Sequence, residues 1–210
     1  MKWSDISVAQ LQDIHRLSLN TDLDDMDKVT RSIAILFGKT ENEVDNLSMH
    51  EFSSLARSCN FLFNDTIPGK PEKYIRIGSK KYGIQYDPKK LRHRQYVEII
   101  HFSEKPIENM HFIMASLVQP VKWGIWRANQ SKDHEAISQD MLNARVIDVY
   151  HSCVFFCKLY ANLIGVIKGS LVAEMKRKGL TTEQAEMMVT YSQNAMDGFI
   201  QPGKWQLLKG

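Results

Sequence analysis

The densest group of chemically capable side chains in this sequence lies within Gly38–Leu55, which reads GKTENEVDNLSMHEFSSL. Carboxylates, hydroxyls and one histidine, His50, occur there close together along the chain. Carboxylates and histidines act as general acids and bases, and hydroxyls act as nucleophiles when a base activates them. If the stretch folded as a single site, it could carry hydrolytic or transfer chemistry.

Helix capping explains the stretch more simply than catalysis does. In a capping box, a Ser or Thr side chain accepts from a free N–H group at the start of a helix, and a Glu or Gln three residues later accepts from the N–H of the cap. Four such pairs stand at candidate helix starts: Ser7 with Gln10, Thr40 with Glu43, Ser48 with Glu51, and Thr181 with Gln184. Gly38 and Gly179 precede two of the boxes, as expected of glycine just past the end of a helix. The stretch therefore predicts a short helix over about 41–47 and a new helix from Ser48, with His50 at its solvated surface.

Cys153 and Cys157, with His151 nearby, form the one arrangement that suggests metal binding. Side chains four residues apart share a helix face, but zinc sites draw on a second Cys or His pair, which does not appear here. Small buried side chains fit the pattern better, and an odd number of cysteines without framework spacing favours reduced thiols. The chain has no nucleophile elbow, phosphate loop or dinucleotide fingerprint. The sequence therefore predicts no catalytic, cofactor or metal site and no enzyme.

One segment of the chain, residues 70–94, is strongly basic and is called here the basic segment. It carries nine Lys/Arg against two Asp/Glu, whereas residues 1–69 carry six against eleven. Its candidate contact residues are Lys73, Arg76, Lys80, Lys81, Lys89, Lys90, Arg92 and Arg94. Interleaved tyrosines would let the segment meet phosphates and stack on the bases of a nucleic acid. The alternatives are contact with an acidic protein surface, such as the acidic N-terminal region of a neighbouring copy, and a solvated lysine-rich edge that prevents strand pairing.

The elements that would position these residues follow from hydrophobic periodicity and turn residues. We expect an α+β protein, mostly α-helical and one domain overall. Its parts are capped N-terminal helices over 1–63, a basic antiparallel β-hairpin or small sheet over 72–102, a C-terminal helical region over 106–197 and an extended aromatic tail over 198–210. A Pro/Gly-containing linker over 64–71 marks the first boundary. Apolar and polar residues alternate on both sides of Gly78-Ser79, which predicts two strands joined by a tight turn. The segment YVEIIHF, 96–102, is expected to add a third strand.

The C-terminal region is predicted to contain one long apolar helix. A first helix follows Pro106 and stops at Pro120, and the longest candidate spans about 138–177. Apolar side chains cover most of its circumference, so either its own domain or neighbouring subunits must surround it. Adjacent residues on a helix point about 100° apart, so one of two neighbouring phenylalanines can face the core while the other faces a partner. Candidate interface residues are Phe155, Phe156, Tyr160 and Ile164.

Composition limits the class of protein. At 210 residues with 43% hydrophobic residues, the chain can bury a sizeable core. No uninterrupted apolar stretch is long enough for a membrane span, and the N-terminus lacks the apolar core of a signal peptide. We therefore expect no membrane segment and synthesis in a cytoplasm.

Several segments, taken in order, resemble those of a known class of proteins. The sequence ILFGKTENEV is followed by the hairpin KYIRIGSKKYGIQY and then by YVEII and NMHFIMASLVQP. Over roughly residues 5–165 this order resembles small virion and assembly proteins of tailed bacteriophages, including those of crAss-like phages. The resemblance implies a non-enzymatic protein, with the tail-assembly chaperone as the nearest relative type. This chain lacks strong overall acidity and carries an apolar 145–173 segment, which favours a component that stays in the virion.

We therefore expect a structural subunit of a phage particle, in the neck, the tail or the packaged contents. It would form homo-oligomers, pack against other phage structural proteins, and occur in the virion and in the host cytoplasm during assembly. One alternative is a tail-assembly chaperone that binds an aggregation-prone partner and then leaves. Another is a nucleic-acid-binding accessory protein that uses the basic segment.

Overall fold

The computed structural model describes residues 1–64, 66–122, 125–126 and 133–160. Within these ranges the chain is α+β and mostly helical, with a small antiparallel sheet, as the sequence predicts. The helices are α1 Val8–Leu19, α2 Asp25–Phe37, α3 Glu41–Asp45, α4 Met49–Ser58, α5 Phe61–Asn64, α6 His93–Phe102, α7 Met110–Leu117, α8 His134–Leu142 and α9, helical over 146–160. The strands are β1 Tyr74–Ile77, β2 Lys80–Ile84, β3 Val118–Lys122 and β4 Ile125–Trp126.

Helices α1, α3 and α4 begin at predicted capping boxes. The hydroxyls of Ser7, Thr40 and Ser48 each accept from the N–H three residues later, at 3.2, 3.2 and 3.3 Å. The side chains of Gln10, Glu43 and Glu51 accept from the N–H groups of their caps, at 3.0, 2.7 and 2.9 Å. Gly38 ends α2 with a left-handed φ of 62°. The interpretation of Gly38–Leu55 as a helix end followed by two capped helix starts is therefore confirmed. The fourth box and Gly179 lie outside the described residues.

The predicted β-hairpin is confirmed as β1 and β2. Ile77 and Lys80 are the last paired residues before the turn, and Gly78 has a φ of 56°, which suits the primed turns of two-residue hairpins. Strand β3 pairs antiparallel with the other side of β2, and β4 pairs with β3, so the strand order is β1-β2-β3-β4. The apolar side of the hairpin, with Ile75 and Tyr82 opposite each other, is buried.

The prediction of a third strand over 96–102 is wrong, because that segment belongs to α6. The β-branched residues of YVEII favour a strand, but Gln95 and Ile99 are buried one helical turn apart, which matches the period of a helix packed on α7. The third strand is β3, and it contains Pro120, where the sequence predicted the end of a helix. Pro120 lies opposite Tyr82 of β2. The Gln85 N–H donates to the Leu117 carbonyl, and because hydrogen-bonded pairs alternate along an antiparallel ladder, Tyr82 and Pro120 form a pair without ladder hydrogen bonds. The N–H that proline lacks is therefore not needed at this position.

The long C-terminal helix does not begin at 138 as predicted. Helix α8 ends at Leu142, and a turn over 143–145 precedes α9. The Val8 N–H donates to the carbonyl of Ala144 at 2.9 Å, and the Val146 N–H donates to the carbonyl of Ile6 at 3.0 Å. The turn is thus held by backbone pairing with the residues before α1. Residues 161–177 of the predicted helix lie outside the described residues.

The described helices and the sheet share one hydrophobic core. Most of the described elements contribute to it, as the following fully or nearly fully buried side chains show: Leu11 and Ile14 of α1, Ile33 of α2, Ile75 and Ile84 of the hairpin, Ile99 of α6, Met110, Ile113 and Met114 of α7, Met141 of α8, and Cys153 and Phe156 of α9. Trp3 packs edge-on against Phe61 with ring centroids 5.1 Å apart. The linker also packs on this body, because Ile67 is buried and its carbonyl accepts from His151 Nε2 at 3.0 Å.

Replacing Ser48 by Ala should destabilise the protein by about 1 kcal/mol, because an N–H group at the start of α4 loses its acceptor. The free energy of unfolding in urea, followed by circular dichroism, measures this loss. Ser54→Ala is the matched control, since Ser54 lies exposed within the same helix and alanine favours helix there. Equal destabilisation by both substitutions would contradict the capping role of Ser48.

Candidate functional site

Lys80, a candidate contact residue of the basic segment, forms an ion pair within the fold. Its Nζ lies 2.6 and 2.8 Å from the two carboxylate oxygens of Asp140 on α8, and the hydroxyl of Tyr82 donates to the same carboxylate. Burial, together with this hydrogen bond, raises the pKa of Tyr82. Asp140 is partly buried, whereas the Lys80 side chain is 58% exposed, so solvent screens the pair and its role is to position the two elements. Lys80 therefore joins the hairpin to α8 and is not freely available to a partner.

The outer face of the hairpin carries a different part of the basic segment. Arg76 and Lys81 lie opposite each other in the ladder, next to Tyr74 on the same face. The Lys81 ammonium lies 3.9 Å from the centroid of the Tyr74 ring, and the Lys73 ammonium lies 5.5 Å from it. Both distances suit a cation–π interaction. This face therefore presents positive charge around an aromatic ring, and Arg76 is exposed.

The remaining candidate residues of the basic segment lie near the start of α6. Lys89 and Lys90 are exposed in a one-turn 3-10 helix, Pro88–Lys90, and Arg92 is exposed as the residue before α6. Arg94 is partly exposed and pairs with Glu98 one turn later, at 3.1 Å. The structure thus divides the basic segment into three parts. Lys80 is ion-paired with α8, a second group lies on the outer face of the hairpin, and a third lies in the turn before α6.

An aromatic cluster of Tyr86, Phe155 and Phe156 lies between the segment that follows β2 and α9. The Tyr86 ring stacks on Phe156 and meets Phe155 edge-on, with centroids 5.4 Å away in both cases. The Tyr86 hydroxyl lies 2.6 Å from the Glu72 carbonyl, to which it donates, and 2.7 Å from the Ser152 hydroxyl. These contacts fix Tyr86, so the cluster has a defined geometry at the surface of α9.

The four predicted interface residues differ in where they lie. Phe156 and Tyr160 are buried in the core, whereas Phe155 is 39% exposed. Ile164 lies outside the described residues. The expectation that the two phenylalanines face different surroundings agrees with their burial. Among the described members of the set, Phe155 is the one whose side chain reaches solvent.

A buried polar cluster of Glu98, Ser116 and His134 joins α6, α7 and α8. The Ser116 hydroxyl lies 3.0 Å from Glu98 Oε2 and 3.0 Å from His134 Nε2, and Arg94 pairs with the same Glu98. The side-chain amide of Gln95 donates to the Ser116 carbonyl at 2.5 Å. The His134 ring lies nearly parallel to those of Phe102 and Phe112.

The buried polar cluster contains the residue types of a hydrolytic triad, but not its geometry. In a triad the carboxylate binds the histidine nitrogen that faces away from the serine, whereas Glu98 lies 3.7 Å from Nε2, the nitrogen that contacts Ser116. Ser116 itself is fully buried within the last turns of α7. The arrangement satisfies buried polar groups and positions three helices, and it presents no serine to a substrate.

A second polar contact joins α1 to the segment before α7. The Gln12 amide nitrogen, which is buried, lies 2.9 and 2.8 Å from the carbonyls of Ile107 and Glu108 and 2.8 Å from His111 Nδ1. Desolvation lowers the pKa of His111, against the opposing effect of nearby Glu135. Since Nδ1 faces an amide donor, His111 is suited to the neutral form.

The three cysteines are free and buried. Burial raises the pKa of Cys59 to about 11 and raises that of Cys153 as well, so these thiols are poor nucleophiles near neutral pH. Within the ranges that the structure describes, no three metal-ligating side chains gather into a group. No helix in those ranges has both the length and the apolar composition needed to cross a bilayer.

The sequence alone did not reveal Asp140, Glu98, Ser116 or Gln12 as residues that join elements. Their partners lie far away in sequence, for example 60 residues between Lys80 and Asp140 and 95 between Gln12 and Ile107. Only the apolar flanks of Ser116, in the sequence IMASLV, indicated that this serine would be buried.

The sequence matches no protein-family model, and neither a curated protein nor a solved structure is significantly similar to it.

His111→Asn should make stability depend less on pH below about 6.5, the ordinary pKa of histidine. The folded state lowers the pKa of His111, so the unfolded chain binds a proton more readily and wild-type stability falls as pH drops from this value through the folded-state pKa. Asparagine keeps an acceptor for Gln12 and removes the titration. Unfolding free energies from pH 8 to pH 5 measure the effect, and equal slopes for the two proteins would contradict it.

Proposed function

We propose that this chain is a non-enzymatic structural protein of a tailed-phage particle, which associates with copies of itself and with other particle proteins. Its place in a phage particle is inferred from the resemblance of its segments to virion and assembly proteins. Its mode of action, association through surfaces, is inferred from the aromatic cluster. The observation that carries this part is the exposed Phe155 beside the buried Phe156.

The core-facing side of α9 is already filled by its own chain. Val149, Cys153 and Phe156 are fully buried on this side. Phe155 is therefore not needed to complete the core, and yet it is held by edge-on contacts with the rings of Tyr86 and Phe156. A fixed aromatic side chain loses little conformational freedom when a partner covers it, and aromatic residues dominate the energetics of many interfaces. Burial of a fully exposed phenylalanine is worth roughly 1.5–3 kcal/mol, and because Phe155 is 39% exposed, covering it would contribute about 0.6–1.2 kcal/mol.

Phe155→Asp and Phe156→Asp should give different outcomes. The first should fold and sediment as a smaller species than the wild-type protein, because it loses an interface contact while the core stays intact. The second should fail to fold, because it buries a charge in the core. Analytical ultracentrifugation and circular dichroism measure the two properties. Ser54→Asp is the control, since Ser54 is exposed on a different helix, α4, whereas an exposed residue of α9 such as Lys158 shares the face of Phe155.

Mass spectrometry of purified particles separates a structural subunit from a tail-assembly chaperone. A structural subunit remains in the particle at a constant ratio to the other components, whereas a chaperone is present only in the host cytoplasm during assembly. A wild-type protein that stays monomeric at high concentration and is absent from particles would contradict the proposal and favour the chaperone.

A nucleic-acid-binding role has one specific observation in its favour, the cationic side chains around Tyr74 on the outer hairpin face. Lys81 lies against the ring, so a base could stack on Tyr74 only after that lysine moved. We therefore expect weak contact with phosphates rather than tight recognition of bases.

Lys73→Glu with Lys81→Glu should weaken binding to a duplex oligonucleotide and should lower its salt dependence. Each lost phosphate contact removes roughly 0.9 from the slope of log affinity against log salt. Fluorescence anisotropy measures both quantities, with Lys158→Glu as the control. A tight, sequence-selective complex of the wild-type protein at physiological salt would favour the accessory role over the structural one.

A further inference from the structure

We propose that two faces of this protein, one acidic and one basic, dock onto each other between successive copies of the chain. The inference rests on the proposed function, because it specifies how a self-associating particle protein recognises its own copies. The acidic face consists of Leu19, Asp22, Asp25, Met26 and Asp27. The basic face consists of Lys89, Lys90, Val97 and Ile100.

The acidic face surrounds the turn between α1 and α2. Leu19 is the last residue of α1 and is 59% exposed, and Met26 lies in the first turn of α2 and is 62% exposed. The three aspartates of the face are exposed as well, and they lie in the same turn or in the first turn of α2. Capping explains a fourth carboxylate, that of Asp24, which accepts from the Asp27 N–H at 2.8 Å. Neither capping nor the helix dipole explains two large exposed apolar side chains at one turn.

The basic face has the same composition with the opposite charge. Lys89 and Lys90 are exposed immediately before α6, and Val97 and Ile100 on that helix are 49% and 37% exposed. Residues three apart share a helix face, so the two apolar side chains form one patch. Each face thus combines two exposed apolar side chains with charges of a single sign.

The two faces do not neutralise each other within one chain. The described ion pairs of the protein join Arg16 to Asp13, Arg31 to Glu41, Lys80 to Asp140, Arg94 to Glu98, Lys105 to Glu108, His134 to Glu98 and Arg145 to Asp148. None of these described pairs includes an acid of the acidic face or a lysine of the basic face. A second copy of the chain offers each face a partner with opposite charge and matching apolar residues.

Docking of this kind is heterologous, because a surface of one copy meets a different surface of the next. Such contacts close into a ring when the rotation between copies allows it, and otherwise they extend into a filament. The contact leaves Phe155 outside either face, so the aromatic cluster remains for another contact.

Charge reversal on each face tests the proposal with the full chain. The acid-face variant is Asp22→Lys with Asp25→Lys, and the basic-face variant is Lys89→Glu with Lys90→Glu. Asp24 is kept because it caps α2. Asp45→Lys, an exposed substitution outside both faces, is the matched control. Thermal unfolding shows that each variant folds, and Asp22→Asn with Asp25→Asn replaces the acid-face variant if the reversal unfolds α2.

Each variant alone should associate at least about tenfold more weakly than wild type in ultracentrifugation, because like charges then meet at the contact. An equimolar mixture of the two reversal variants should associate again, since each face of one then meets a face of opposite charge on the other. If the Asn variant replaces the acid-face reversal, the mixture is not tested, and the partial loss of association of the Asn variant is measured by itself. Wild-type association should weaken from about 0.1 M to about 1 M salt, as the screening length falls from about 10 Å to about 3 Å.

The outcomes separate this proposal from the proposed function. If the wild-type protein associates and Phe155→Asp dissociates it, while both charge variants behave as wild type, the docking of the two faces is wrong and the structural role stands. Two weakened variants whose mixture does not associate would also overturn the docking. A wild-type protein that is monomeric at every concentration would overturn both.

Discussion

The fold depends on the backbone pairing between the residues before α1 and the turn between α8 and α9. Ile6, Val8, Ala144 and Val146 are all buried, so their N–H and C=O groups must be satisfied inside the protein. The two hydrogen bonds between these segments do so, and they join parts of the chain that are more than 130 residues apart. They place the start of α1 beside the turn that separates α8 from α9.

Buried polar side chains complete the arrangement that this pairing begins. Gln12 connects α1 to the segment before α7, Gln95 connects α6 to α7, and Asp140 connects α8 to the hairpin. Each of these contacts satisfies a group that would be unfavourable to bury alone. Because each has partners with a defined geometry, the polar contacts also specify how the elements lie relative to one another, which apolar packing alone does less sharply.

The surface left by this packing contains exposed aromatic and charged side chains. The side of α9 that carries Phe156 belongs to the core, and the neighbouring Phe155 remains at the surface beside Tyr86. The basic segment is not one uniform surface, because Lys80 is ion-paired with Asp140 while Lys89 and Lys90 belong to none of the described ion pairs. Exposed aromatic and exposed cationic side chains therefore lie at different places on the surface.

The sequence by itself determined the local features of this protein. A capping box involves four consecutive residues and the hairpin turn at Gly78-Ser79 a similar number, so short-range chemistry decides both. The sequence also showed that Phe155 and Phe156 point in different directions, because helical periodicity fixes relative orientation. Only the tertiary structure decided that Phe156 faces the core, that 96–102 is helical, and that Glu98 meets Ser116 and His134. These outcomes depend on packing and hydrogen bonds between segments distant in sequence, for which no local pattern specifies the partner.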